Sequence, residues 1–192
     1  MAQTGQVVEN PRRREWVRFD RTSADTGGAF LEMHVEAQPG ALSGPIHTHP
    51  NAEEEIEVLA GTARFQLNGS TRDAGPGQRV TIPRGTPHTF SNPFDQELVL
   101  KGRLTPALRF ETMLETIYGL TRAGRVNGRG IPNPLQAAVI FTEFSREWSP
   151  AFLPWPVRAL VMPLLAIPGR LFYRAWYPEF SPAGPVTTRP ER

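Results

Sequence analysis

Two histidines and a run of glutamates lie close together in the stretch HTHPNAEEEIEVLAG. His47 and His49 are two positions apart, so their side chains share one face of an extended strand. Of the three adjacent glutamates, only Glu54 shares a strand face with the apolar Ile56 and Val58. Imidazole and carboxylate groups are ordinary ligands of divalent transition metals. The pattern predicts that Glu54 points inward near two histidines while the glutamates beside it meet solvent.

A third histidine follows in the stretch GQRVTIPRGTPHTFSN. The spacing in this stretch is set by Gly77, Pro83, Gly85, His88 and Asn92. Glycines and prolines at such offsets bound a short strand with tight turns. The stretch therefore predicts a histidine at the start of the next strand.

The composition limits the kind of protein that carries these residues. The chain has 192 residues, of which 39% are hydrophobic and 21% are charged, as in an ordinary globular protein. Its net charge of +2 is too small to indicate a nucleic-acid partner. The absence of cysteine excludes disulfides and thiolate ligands and suits a reducing cytoplasm. Any metal must be held by histidine, carboxylate or water.

Short strands separated by turns are predicted up to about Thr105. The segments AFLEMHVEA and TARFQLNG alternate apolar and polar residues, and the second ends in the hairpin turn Asn68-Gly69. Many short strands at close spacing are typical of a sandwich or barrel. We expect residues 1–14 to form a polar, solvated leader and residues 15–105 to form the barrel.

Helical spacing replaces the alternation after Thr105. The apolar residues of ALRFETMLETIY and NPLQAAVIFTEF recur near the helical period, and a loop separates the two segments. The sequence predicts a helical extension over residues 106–180 and a polar tail over residues 181–192.

Both histidine stretches together resemble the cupin superfamily. Its first motif runs Gly-x5-His-x-His-x3,4-Glu-x6-Gly, and this chain has His47, His49, Glu54 and Gly61 at those spacings. The leading glycine of the motif is replaced by Ala41, with Gly40 one place early, which affects a turn and not a ligand. Its second motif, Gly-x5-Pro-x-Gly-x2-His-x3-Asn, is matched in full by residues 77–92. The resemblance covers roughly residues 28–105. It implies an antiparallel double-stranded β-helix, also called a jelly-roll barrel, in agreement with the strand pattern.

The resemblance also implies a metal site. The family's ligands carry over to His47, His49, Glu54 and His88. Three neutral imidazoles and one carboxylate suit a divalent Fe, Mn, Ni, Co, Cu or Zn ion and leave coordination positions for a small-molecule substrate. No motif position claims His34, which we expect to be an ordinary strand residue. Phe65, Ile56 and Phe90 are expected to be core residues that could also line the cavity.

Cupins with this ligand set catalyse several reactions, so the ligands do not define the chemistry. Our leading hypothesis is a mononuclear metalloenzyme of the oxygenase type that acts on a small anionic or enolisable substrate. One alternative is a redox-neutral isomerase, cyclase or lyase that uses the metal as a Lewis acid. Another is a non-catalytic binding or regulatory cupin. We leave Arg64, Gln66 and Arg79 out of the site, since their alternation with apolar residues favours solvent exposure.

The final apolar segment, residues 151–178, carries no motif with a chemical role. Its prolines and Arg158 argue against a membrane-spanning helix, which needs about 20 mostly apolar residues. Its tryptophans and arginines would also suit peripheral contact with a membrane. We favour packing against the barrel or against a second copy in a homodimer, and we expect a cytoplasmic protein with membrane association as the alternative.

Overall fold

A computed structural model of the protein describes residues 2–41, 44–128 and 130–181. Within these residues the strands are β1 Val7–Asn10, β2 Glu15–Arg21, β3 Leu31–Ala37, β4 His47–Thr48, β5 Glu53–Ala60, β6 Ala63–Leu67, β7 Ser70–Ala74, β8 Arg79–Ile82, β9 His88–Ser91, β10 Leu98–Thr105 and β11 Ser149–Pro150. The helices are α1 Phe110–Arg122, α2 Pro134–Glu143 and α3 Met162–Gly169, with a π-helical turn Val157–Val161 and a 3-10 turn Pro178–Phe180. The helices all follow β10, as the sequence predicts.

The strands pair antiparallel in two sheets. One sheet has the order β1-β2-β3-β10-β5-β8, and the other has the order β11-β4-β9-β6-β7. Alternate residues of both sheets point into a shared core, in which Phe19, Leu31, Phe65 and Leu98 are fully buried. This arrangement confirms the mainly β, jelly-roll fold.

The second histidine stretch forms corners of this barrel. Gly85 has a φ of 73°, and its N–H donates to the His49 carbonyl at 2.9 Å, which joins the two histidine stretches. Asn92 is fully buried, and its Nδ2 donates to the carbonyls of Ala37, Gln38 and Gln96 at 3.0, 3.1 and 2.8 Å. These two residues of the stretch therefore hold the backbone in place.

The structure corrects the expectation of a solvated leader over residues 1–14. Residues Val7–Asn10 form β1, which pairs antiparallel with β2 at the edge of the larger sheet. Val8 is 5% exposed, and Gln6 is 1% exposed with its Nε2 donating to Glu115 Oε1 of α1 at 2.7 Å. A polar segment becomes ordered here because β2 offers it an unpaired edge and α1 covers it.

The extension packs against the barrel and contributes to its sheet. β11 pairs with β4, so a strand from the extension extends the smaller sheet beside the first histidine. α3 lies very close to α2, since a Cβ at Gly169 would lie 2.8 Å from the Leu135 carbonyl oxygen. None of the described helices combines the length and apolar character that crossing a membrane requires. Most of the predicted polar tail, residues 182–192, lies outside the described residues.

Candidate metal centre

Three strands bring the predicted ligands together inside the barrel. His47 in β4 and His88 in β9 are direct partners across the smaller sheet, and His49 follows β4 by one residue. Glu54 lies near the start of β5 in the opposite sheet. The three histidines each offer a nitrogen, and these nitrogens all lie within 4.8 Å of one another. The histidines are therefore placed to bind one metal ion.

The outward nitrogen of each histidine is held by a backbone carbonyl. Nδ1 of His47 lies 3.0 Å from the Pro45 oxygen, and Nδ1 of His88 lies 2.8 Å from the Thr86 oxygen. Nδ1 of His49 lies 2.7 Å from the Glu147 oxygen. A carbonyl oxygen can only accept a hydrogen bond, so each Nδ1 carries a proton and each Nε2 is left to act as a ligand.

The free Nε2 atoms fit a cation well. Nε2 of His49 and Nε2 of His88 are buried and have no hydrogen-bond partner of good geometry within the described residues. Such orphaned buried polar atoms are costly unless a ligand satisfies them. An ion bound at the centre of the three rings would satisfy both. Since cysteine is absent, the donor set is nitrogen and oxygen only.

Glu54 lies directly beside this cluster. Its Oε2 is 3.0 Å from Nε2 of His88 and 3.6 Å from Nε2 of His49. The side chains of Glu53 and Glu55 are exposed, as strand alternation predicts. Burial alone would raise the pKa of Glu54, but its contacts with His49 and His88 outweigh burial and lower that pKa. The inward carboxylate is therefore negative at neutral pH.

Two histidines of the cluster, His47 and His88, have shifted pKa values. Burial, reinforced by the two neighbouring histidines, lowers the pKa of His47 well below its ordinary value although Glu54 opposes the shift. Burial also acts to lower the pKa of His88, but the nearby Glu54 carboxylate outweighs it and raises that pKa. A metal needs each Nε2 unprotonated, so acid must compete with the ion at His88.

The helical extension completes the site, which sequence reasoning did not foresee. The carbonyl that holds His49 belongs to Glu147, which lies after α2, and the Trp148 ring stacks on His47 with centroids 5.5 Å apart. Phe110, the first residue of α1, meets His49 edge to face at 5.0 Å. No local pattern in the sequence marks these residues, because their contacts depend on how the extension folds back on the barrel.

The cluster opens into a cavity of about 1040 Å³ between the barrel and the extension. His47, Glu54 and His88 lie in its wall. The remaining wall is largely apolar and is drawn from both parts of the chain, including Val17, Met33, Val35, Phe90, Met113, Ile117, Phe141, Trp148, Phe152 and Leu165. Of the three expected lining residues, Phe90 lines the cavity, whereas Phe65 and Ile56 are buried core.

A polar group interrupts this apolar wall. Arg13 Nη2 lies 3.3 Å from Glu15 Oε2, and the hydroxyl of Tyr118 donates to Glu15 Oε1. All three residues line the cavity. Burial, reinforced by Glu15, raises the pKa of Tyr118 well above its ordinary value although Arg13 opposes the shift. The sequence offered one signal for Glu15: it lies two residues before the apolar Val17 on β2 and so shares its inward face.

The other polar candidates lie away from the histidine cluster. His34 is half buried on β3, and its Nε2 lies 3.6 Å from Glu36. Arg64 pairs with Asp73 at 2.8 Å, and the mostly exposed Arg79 reaches Glu57 at 3.0 Å.

Comparison with known proteins finds a family match over the barrel. Residues 33–105 match the family model described as "Cupin domain". A dimethylsulfoniopropionate lyase of Ruegeria pomeroyi is 39% identical over 42% of this chain and 44% of the relative. A mannose-1-phosphate guanylyltransferase of Salmonella typhimurium is 36% identical over 42% of this chain and 16% of the relative. The matches thus span less than half the length of these relatives.

Among solved structures, the chain is similar to a polyketide cyclase from Streptomyces resistomycificus. The sequence identity is 30%, the match covers 48% of this chain and 66% of the other, and the TM-score is 0.44.

Proposed function

This chain belongs to the cupin superfamily through residues 33–105, and from that premise we propose that it is a metal-dependent enzyme acting on a largely apolar substrate with an anionic or enolisable oxygen. One observation carries the proposal. Three histidines have their Nδ1 atoms anchored to carbonyls and offer nitrogens within 4.8 Å of one another, and two of them, His47 and His88, line one largely apolar cavity.

The proposed ligands are His47, His49, Glu54 and His88. A divalent ion beside one carboxylate leaves a net charge of about +1, which favours an anionic oxygen such as an enolate, phenolate or carboxylate. The metal supplies a Lewis acid that stabilises negative charge on that oxygen. This donor set suits Fe, Mn, Ni, Co, Cu and Zn alike, so the identity of the ion is a question for metal analysis of the purified protein.

The residues of the chain do the remaining work of binding and orientation. Trp148 and Phe110 restrain the rings of His47 and His49, which keeps the ligands oriented toward the cavity. The apolar wall excludes water and holds the apolar body of the substrate, so charge interactions inside it are strengthened. Tyr118, kept protonated by burial and by Glu15, donates its O–H to Glu15 and so fixes that carboxylate in the cavity wall.

We propose redox-neutral chemistry, of the lyase, isomerase or cyclase kind, as the first reaction class. The lyase from Ruegeria pomeroyi, 39% identical over the matched part, supports this choice. The oxygenase expected from the ligand set stays the second candidate, since three imidazoles and a carboxylate also suit a redox-active ion that leaves coordination positions open. The cytoplasmic location stays a prediction, as does the homodimer.

Metal analysis followed by a single aromatic probe tests the proposal. Protein purified without added metal is assayed for bound ions, then mixed without oxygen with 1-phenylbutane-1,3-dione, an apolar chelating enol. A metal-dependent enolate absorbance that is lost in His88→Ala and kept in His34→Ala supports the site. Conversion of the probe without oxygen supports redox-neutral chemistry, whereas oxygen uptake after air is admitted, with no conversion before it, supports the oxygenase. A protein that binds no transition metal contradicts the proposal.

A further inference from the structure

Large apolar side chains are exposed in one part of the molecule. Of the twelve exposed large hydrophobic residues among those described, ten lie in residues 152–176, here called the apolar segment. Leu171 is 80% exposed, Phe172 is 74% exposed and Ile167 is 68% exposed. An apolar patch of this extent marks an interaction surface in a folded protein.

The packing of the apolar segment leaves its large residues outward. Its contacts with α2 are made by small residues, with Ala166 at 2% exposure and Gly169 so close that a Cβ would lie 2.8 Å from the Leu135 oxygen. The small side chains thus face α2, while Ile167, Leu171 and Phe172 face away from it. The segment packs on α2, and this packing uses only one side of the segment.

The charge of the apolar segment is entirely positive. Between Glu147 and Glu179 the chain has no acidic residue and has three arginines, Arg158, Arg170 and Arg174. A symmetric dimer through this face would place the same arginines of two copies against one another, without acidic partners from the segment itself. Arg170 also pairs with Glu143 at 3.3 Å, and Arg158 donates to the Ser149 hydroxyl at 3.2 Å. Anionic lipid head groups would therefore attract the exposed Arg174 most strongly.

The residue types also match a membrane interface. Trp155 is 66% exposed and Trp176 is 40% exposed, and tryptophan is enriched where a protein meets the head-group level of a bilayer. A short, broken helix with apolar residues outward lies on a bilayer and does not cross it. From the exposure, the charge and the residue types, we propose that the apolar segment docks on an anionic lipid bilayer.

The apolar segment is continuous with the cavity beside the histidine cluster. Phe152 and Leu165 line the cavity and are themselves 54% and 37% exposed, and Leu153 and Met162 line it beside them. An apolar molecule could pass between these side chains from bilayer to cavity with little contact with water. The substrate class is therefore a lipid-soluble molecule with an anionic or enolisable oxygen; this part rests on the proposed function, whereas the docking does not.

Vesicle flotation tests the docking. The full chain is mixed with vesicles of phosphatidylcholine and phosphatidylserine, or of phosphatidylcholine alone. We expect flotation only with the anionic vesicles and a loss of binding of about tenfold or more in the double variant Leu171→Glu, Phe172→Glu. The matched control is Leu59→Glu, which changes an exposed leucine of β5, 43% exposed, and should float like the wild type.

Four outcomes decide between occupants and separate this proposal from the enzymatic one. Protein that stays wholly soluble overturns the docking, and so does equal flotation with both vesicle types. If the wild type is a dimer in size-exclusion chromatography and the double variant is a monomer, the apolar segment binds a second copy of the chain and the docking proposal is overturned. Flotation unchanged in His88→Ala, with metal content unchanged in the double variant, supports docking independently of the metal site.

Discussion

Replacing Glu54 by glutamine should remove most of the stability that a bound metal adds to the protein. The Glu54 carboxylate oxygen lies 3.0 and 3.6 Å from the Nε2 atoms of His88 and His49, so it belongs beside the ion. Without metal, the glutamine amide can donate to a neutral Nε2, so the variant should fold. Loss of an outer-shell partner weakens metal binding about 10–100-fold, and loss of a charged ligand should reach at least about 100-fold.

The thermal shift follows from binding linkage. At a free metal concentration about 100 times the dissociation constant, the wild type gains about 2.7 kcal/mol, whereas a variant that binds about 100-fold more weakly gains about 0.4 kcal/mol. For a chain of this length, the difference of about 2.3 kcal/mol corresponds to a melting temperature about 5–9 °C lower in metal. Differential scanning fluorimetry with and without the ion found in the purified protein measures this shift.

Glu53→Gln and Glu55→Gln are matched controls on the same strand. Each makes the same change in charge on an exposed side chain, so each should keep the full metal-dependent shift. Full retention of the shift in Glu54→Gln, or equal losses in all three variants, would refute the assignment of Glu54 as the inward ligand.

Two further predictions concern stability. Gly61→Ala should destabilise the fold by more than Gly69→Ala does. Both glycines have a positive φ, which costs alanine about 1–2 kcal/mol at either position. Only at Gly61 would the added Cβ also clash, since it would lie 2.3 Å from the Glu97 oxygen, whereas a Cβ at Gly69 meets nothing within 4 Å. Equal urea midpoints for the two variants would contradict this. Tyr118→Phe should cost about 1–3 kcal/mol at neutral pH because Glu15 loses a buried donor. The pKa of Tyr118 is raised in the folded state, so above a pH of about 10, where tyrosine ionises in the unfolded chain, the stability of the wild type should fall. The difference in unfolding free energy between the wild type and Tyr118→Phe should therefore shrink. A difference that is unchanged up to a pH of about 11 would count against this prediction.

The side-chain directions along β5 were predictable from the sequence. Glu54, Ile56 and Val58 are buried, while Glu53 and Glu55 are exposed, because the two-residue period of a strand is a local property of its backbone. The spacing of the motif glycines and histidines was equally local, and the barrel it implies is the one observed. Helices after Thr105 were predictable for the same reason, since helical period is also local.

Contacts between distant parts of the chain needed the tertiary structure. The sequence does not show that the Glu147 carbonyl holds His49 or that Trp148 stacks on His47, because 98 and 101 residues separate these pairs. The order of Val7–Asn10 likewise depends on the free edge of β2, which no local pattern reveals. The sequence by itself determined the cupin motif residues and the inward face of β5. Only the tertiary structure decided that the extension contacts the histidine cluster, lines the cavity beside it and leaves an apolar surface exposed. These features depend on surfaces that meet only when the chain has folded.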